Sequence, residues 1–225
     1  MNETQTAQMN CDGIAPYYES LEHLSFGKAL EKRRSAFLAE ASDSRRALLC
    51  GGGDGRFLAR LLCENTLVDV DFIDLSPKMI ELARRRVAGM GATFERRVRF
   101  HTRDIRKCKL QTGIYDLIVT HFFLDCFQEQ ELTDVVDCLA GCGTADGKWI
   151  LSEFREADGI AGRALTRALI RSLYLAFRVC TGLRVRRLPD YAAALSARGY
   201  RLRCEQVTFG GLLGSSLWQA RKTGT

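Results

Sequence analysis

The feature that most constrains this chain is an apolar run, Leu48-Leu49-Cys50, that stops in Gly51-Gly52-Gly53-Asp54-Gly55. A strand that ends in glycines lets a ligand touch bare backbone. The helix that follows then points its free N–H groups and positive dipole end at the ligand. From Ala47 onward, short apolar runs ending in Gly or Asp alternate with helical periodicity, which predicts parallel strands joined by crossover helices. Strands are expected near 46–50, 67–73, 98–102, 115–120 and 147–153, with two closing strands over 200–208 and 212–220. Ser76-Pro77 is a good helix start, with the serine as cap and the proline in the first turn. One or two helices are expected over 157–180, and another over 189–198. Ahead of the strands, residues 1–10 read as a loose tail. Tyr17, Leu21, Leu24, Leu30, Phe37 and Leu38 then fall at helical spacing.

Spacing narrows the ligand. A dinucleotide fingerprint needs a third glycine at position 56, where Arg56 stands, and the Gly-Lys-Ser/Thr of a phosphate loop is absent. The G-x-G-x-G form suits a nucleoside without pyrophosphate, such as S-adenosylmethionine, with Gly51, Gly52, Gly53 and Gly55 as its cradle. Asp74 closes the alternating run Val70-Asp71-Phe72-Ile73, where a second strand ends beside the first. A carboxylate there accepts both ribose hydroxyls, with Leu75 beside it. Past the third strand, Asp104 is placed to accept the adenine amino group while Ile105 packs on the ring. The fourth strand delivers His121, Phe122 and Phe123 to the crevice at the sheet's carboxyl edge, where open parallel sheets bind ligands. His121 is the best titratable candidate near neutral pH, as a base or as a cofactor contact. Asp125 is expected to cap the segment that follows.

At 225 residues, one compact domain is expected. No uncharged run approaches the roughly 18 residues of a membrane helix, and the first ten residues lack the pattern of a secretory signal, so a cytoplasmic location is expected. The net charge is +6, and 26 of the 33 cations are arginine, a bias that suits anionic partners. No aromatic residues interleave the basic clusters at stacking spacing. Nucleic acid is therefore disfavoured, while peripheral contact with an anionic membrane surface stays open. The nine cysteines include no C-x-x-C pair and read as reduced core residues, so no metal site is expected.

Together these segments resemble a class I S-adenosylmethionine-dependent methyltransferase, and are most similar to the branch of ubiquinone/menaquinone C-methyltransferases. Ala15-Pro16, Leu24-Ser25-Phe26-Gly27 and Arg33-Arg34 echo the leading segment of that branch, and Trp149-Ile150-Leu151-Ser152-Glu153-Phe154 echoes its fifth strand. The resemblance implies a Rossmann-like, doubly wound, mostly parallel seven-stranded sheet with an antiparallel last strand. Residues 1–45 would form a helical cap and 46–225 the catalytic domain, with a helical insertion at about 157–190. It also implies methyl transfer to a small hydrophobic acceptor (aromatic, polyketide-like, quinone or lipid), leaving S-adenosylhomocysteine. The acceptor pocket is expected between cap and insertion, lined by Tyr17, Tyr18, Phe26, Phe123, Tyr174 and Phe177. His121 and Tyr18 are the candidates to take a proton. The branch's acid on the first strand falls on Leu49, with Asp54 a possible substitute for holding the methionyl amino group. Two rival readings share the fold: an RNA or protein methyltransferase, and a repurposed member that binds cofactor without methylating.

Overall fold

The computed structural model describes residues 28–181, 185 and 187–221, with the side chains of 176, 177 and 179–181 left undescribed. Tyr17, Tyr18, Phe26 and the Phe177 side chain lie outside the described residues, as does most of the expected cap. From Ala29 the chain runs through helix α1 (Ala29–Arg34) and strand β1 (Arg46–Cys50) to helix α2 (Arg56–Glu64) and strand β2 (Asp69–Asp74). Helices α3 (Pro77–Ala88) and α4 (Ala92–Glu95) lead to β3 (Val98–Thr102), and β4 (Tyr115–His121) precedes α5 (Glu129–Cys142). After β5 (Gly143–Phe154) come α6 (Ile160–Thr181), α7 (Tyr191–Ala197), β6 (Tyr200–Thr208) and β7 (Leu213–Ala220). The strands form one sheet in the order β3-β2-β1-β4-β5-β7-β6. All neighbouring pairs are parallel except those of β7, which runs antiparallel to both β5 and β6.

The order reverses between β1 and β4, whose carboxyl ends open the crevice of a doubly wound sheet. Residues 47–50 of β1 are all buried, as parallel strands covered on both faces require. One face packs Leu49, Phe57, Leu58, Leu61, Phe72 and Ala83 into a core. The other packs Leu48, Ile73, Ile118, Leu139 and Trp149. A third cluster joins Leu30 of α1 to Phe154, Ile170 and Tyr174, and so seats the start of the described chain against the insertion.

Local chemistry fixes the elements near the crevice. Ser76 Oγ accepts the Met79 N–H at 3.2 Å, and Pro77 opens α3, so the expected cap forms. Gly55 has a φ of +79°, and a Cβ on it would lie 2.8 Å from both Cα and Cβ of Ala83. The close seating of helix on helix that a third fingerprint glycine would give is therefore supplied one position earlier, which is why Arg56 is tolerated. On β2, Asp71 accepts hydrogen bonds from Tyr115 Oη (3.1 Å) and Arg99 Nε (3.1 Å), and His101 Nε2 lies 3.0 Å away. Burial raises its pKa, but the bonds from His101 and Tyr115 and the Arg99 charge outweigh that and leave it lowered.

The insertion carries one continuous 22-residue helix, within the one or two expected there. One expectation needs correcting. The cysteines are not uniformly core: Cys50 and Cys142 are buried, but Cys63 and Cys204 are exposed. No described helix is long and apolar enough to cross a membrane, and no group of three or more His, Cys, Asp or Glu side chains among the described residues is arranged to hold a metal ion.

Candidate functional site

The glycine turn, the tip of β2 and the segment after β4 converge at the carboxyl edge of the sheet. Gly51 (φ +65°) and Gly53 (φ +58°) turn the chain from β1 into α2, and Gly51 N–H donates to Ile73 O at 2.9 Å, which ties the turn to β2. Asp74 adds a second tie. Its Oδ2 accepts the Gly53 N–H at 3.1 Å and its Oδ1 the Ser76 N–H at 2.9 Å. This half-buried carboxylate thus stands against the glycine turn, where an acid must stand to reach a ribose, and Leu75 lies half-buried beside it.

Beyond β4 the chain is strained and held. Phe122 sits at φ +52°, a conformation costly for a residue with a Cβ, while its N–H donates to Ser152 O at 2.7 Å. Phe123 walls the glycine turn: a Cβ on Gly51 would fall 2.3 Å from its ring. Gly51 is therefore needed for its positive φ and for this close approach alike. Phe123 also meets Phe127 edge-on at 5.0 Å, and Phe122 packs on Phe154 at 5.2 Å.

His121 lies between these walls. It is 8% exposed, its ring meets Phe57 edge-on at 4.6 Å, and neither ring nitrogen has a hydrogen-bond partner among the described residues. Burial, followed by the nearby Arg34 charge, holds its pKa well below the usual histidine range. The ring is therefore neutral at pH 7, with an acceptor nitrogen free to take a bond. Arg34 stacks over the Phe122 ring at 5.2 Å. Arg34, Leu49, Gly51 to Asp54, Phe57, Val119, His121 and Phe122 border the crevice, whose enclosed end holds about 40 Å³. The crevice thus brings together imidazole nitrogens without a partner among the described residues and the glycine turn, with the Asp74 carboxylate bonded to that turn just outside the lining.

Other expected residues are placed differently. Asp54 is held by Arg56 Nε at 2.9 Å and Arg86 Nη2 at 3.2 Å, so it pins the glycine turn to α2 and α3 while it borders the crevice. Asp104 caps a short 3₁₀ turn, and its carboxylate is held by Arg106 through main chain and guanidinium. Ile105 is buried in the core face with Leu48 and Ile73. Tyr174 is also buried and hydrogen-bonds Asp125, so it anchors α6. Asp125 is not the expected cap but one half of a buried carboxyl pair with Glu153. Phe57 and Arg34 were not singled out from sequence as site residues. The signal for Phe57 was its place in the first turn after the glycines.

Two hollows flank the insertion at the same edge of the sheet. One, of about 630 Å³, is bordered by Gln128, Arg178, Val185, Arg187, Leu188 and Pro189 among others. The other, of about 340 Å³, is bordered by Glu156, Arg167, Ile170, Arg171, Arg187 and Leu188. Arginines and apolar side chains line both, with Glu129 in the first and Glu156 in the second; most of the aromatic residues expected to wall the acceptor pocket lie outside the described residues.

Comparison with known proteins bears on the fold. Residues 48–149 match the family profile described as a methyltransferase domain. Among curated proteins, polyamine aminopropyltransferase 2 of Bacillus cereus is 31% identical over 111 residues, which is 47% of this chain and 27% of that protein. The chain thus spans about a quarter of the length of the curated relatives it matches. Among solved structures, mitomycin 7-O-methyltransferase MmcR superposes with a TM-score of 0.66 at 16% identity, covering 91% of this chain and 57% of that one. The O-methyltransferase NcsB1 from neocarzinostatin biosynthesis, solved with S-adenosylmethionine and 2-hydroxy-5-methyl naphthoic acid, superposes with a TM-score of 0.62 at 15% identity, covering 92% and 58%. The fold is the Rossmann-like α/β fold of these methyltransferases.

Proposed function

We propose that this chain is an S-adenosylmethionine-dependent methyltransferase acting on a small aromatic acceptor that carries an acidic group. The observation that carries the reading is the convergence, at the tips of β1, β2 and β4, of Asp74, the glycine turn and the buried His121, which has no hydrogen-bond partner among the described residues. Bound there, S-adenosylmethionine supplies a methyl group already activated by its sulfonium. The chain's own work is then positioning and exclusion of water, which can contribute on the order of 7 to 11 kcal/mol. Asp74 holds the ribose hydroxyls. The absence of side chains at Gly51 to Gly53 lets the ligand approach closely, and Phe122 and Phe123 keep water from the site. His121, neutral at pH 7, accepts a proton or hydrogen bond at a ring nitrogen.

The arginine-lined hollows carry the acceptor class. Gln128 follows the β4 segment and Glu156 follows β5, so both hollows lie where the strands end. Arg171 and Arg187 offer a carboxylate cationic donors beside the Arg167–Glu156 ion pair, and Ile170 and Leu188 offer a ring an apolar floor. The aromatic acid bound by NcsB1 supports the same class. The leading segment's likeness to the quinone branch keeps a hydroxylated ring among the acceptors. Helix α6 carries four arginines and no acid, which supports peripheral contact with an anionic surface.

The likeness to aminopropyltransferases supports a second reading, transfer of an aminopropyl group to an amine. The nucleoside product separates the two. Methyl transfer leaves S-adenosylhomocysteine, and aminopropyl transfer leaves methylthioadenosine. Incubation with S-adenosylmethionine or its decarboxylated form and a panel of hydroxylated aromatic acids and polyamines, read by mass spectrometry, is expected to yield S-adenosylhomocysteine with the aromatic acids. Methylthioadenosine formed with the polyamines would overturn the reading in favour of the second.

A further inference from the structure

Glu153 ends β5 fully enclosed, at 0% exposure. Its Oε1 accepts the N–H groups of Phe123 (3.1 Å) and Leu124 (2.8 Å), while Oε2 has no hydrogen-bond partner among the described residues. The Asp125 carboxyl, 4% exposed, lies within hydrogen-bonding reach of it. The Tyr174 hydroxyl of α6 donates to Asp125, 3.4 Å from Oδ2 and 3.5 Å from the main-chain oxygen, and Cys126 Sγ stands 3.6 Å from Oδ1. Two ionised carboxylates cannot face one another here without water, because each is an acceptor only. A proton on one makes it a donor and satisfies the orphaned oxygen.

We infer that Asp125 and Glu153 share a single proton, and that this proton-held pair clasps the strained Phe122–Leu124 turn to helix α6, making Glu153 a positioning residue for the wall of the nucleoside crevice. The inference rests on reading that crevice as the cofactor site. Burial, then the charge of Asp125, pushes the Glu153 carboxyl well above the usual range, and burial pushes Asp125 up to about 6, so a proton stays on the pair at neutral pH. The other titratable and charged groups around the pair are Cys126, Tyr174, and Tyr191 of α7 with Arg155 and Glu205 beside it. Burial raises both tyrosines, so they stay neutral when the pair ionises. The strain at Phe122 persists because the turn is held from three sides: Ser152 O, Glu153 Oε1 and the Asp125–Tyr174 contact.

The test is calorimetric titration of the full chain with S-adenosylhomocysteine from pH 6.5 to 9.5. Wild-type affinity is expected to fall about tenfold or more toward the alkaline end as the shared proton is lost. Glu153→Gln keeps the two N–H acceptances and donates to Asp125 through its amide, so it is expected to hold the pH 6.5 wild-type affinity across the range. Glu153→Ala is expected to bind about tenfold more weakly at every pH, a change of about 1.4 kcal/mol. Equal pH slopes in wild type and Glu153→Gln would overturn the inference, as would undiminished binding by Glu153→Ala. So would a slope abolished by Cys126→Ser and kept by Glu153→Gln. If Glu153→Ala does not fold, the Glu153→Gln slope decides alone. If the wild type binds no S-adenosylhomocysteine at any pH, it is the cofactor reading that fails, and melting curves judge the clasp. Carboxyls with raised folded pKa values lose their stabilisation as pH rises, so the wild-type Tm should fall toward pH 9.5 and the Glu153→Gln Tm should not. Parallel falls would overturn the clasp.

Discussion

Asp74 carries two loads, and replacing it separates them. Its Oδ2 and Oδ1 accept the Gly53 and Ser76 N–H groups at 3.1 and 2.9 Å, so Asp74→Ala strips two half-buried donors of their partner. At about 1 kcal/mol each, the structural cost is about 2 kcal/mol, or roughly 4 to 8 °C in Tm for a chain of this size. The ribose load comes on top. Two charge-assisted bonds of about 1.5 kcal/mol each make about 3 kcal/mol, a loss of roughly a hundredfold in affinity. Asp74→Asn keeps an oxygen for one backbone N–H but surrenders the charge, so about 1 kcal/mol of stability and about tenfold in affinity should go. Calorimetric titration with S-adenosylhomocysteine reads the second load and thermal melting the first. An Asp74→Ala protein that melts lower yet binds the nucleoside as tightly as wild type would refute the ribose assignment and leave Asp74 as a turn support only.

Two further outcomes follow from the same geometry. His121 is buried and neutral, with a folded pKa well below that of the unfolded chain, so the unfolded state takes up a proton first as pH drops. Stability should therefore decline below about pH 6.5, and His121→Leu should flatten that decline in melting curves taken from pH 7.5 to 5; an unaltered slope would place the titration elsewhere. Gly55→Ala meets Ala83 at 2.8 Å from a backbone at φ +79°, so it should cost about 2 to 4 kcal/mol in urea unfolding; a loss below about 1 kcal/mol would show that α2 and α3 can separate cheaply.

What could be read from the sequence was mostly local. The strands over 46–50 and 98–102 and the Ser76-Pro77 cap stand where expected, because short apolar runs bounded by turn residues and a serine before a proline act through neighbours in the chain. Strand β5 starts at Gly143 rather than 147, since its polar opening residues are recruited by pairing with β4 across a register shift, which hydropathy does not record. Long-range partners were the blind spot. Asp54 is held by Arg86, 32 residues away, a partner that no local pattern shows. Asp125 and Glu153, 28 positions apart, show their chemistry only when folding seals both from water. Tyr174 fits an aromatic wall on periodicity alone, but its hydroxyl has a buried carboxylate to satisfy, and that turns it inward.

The most direct measurement of the whole account is a crystal structure of the chain grown with S-adenosylhomocysteine. The account requires ribose density within hydrogen-bonding distance of the Asp74 carboxylate, with the sulfur end running past the glycine turn toward His121. Density for the nucleoside at any other place on the sheet, or a crevice still closed by Phe123 against Gly51 at saturating ligand, would contradict it.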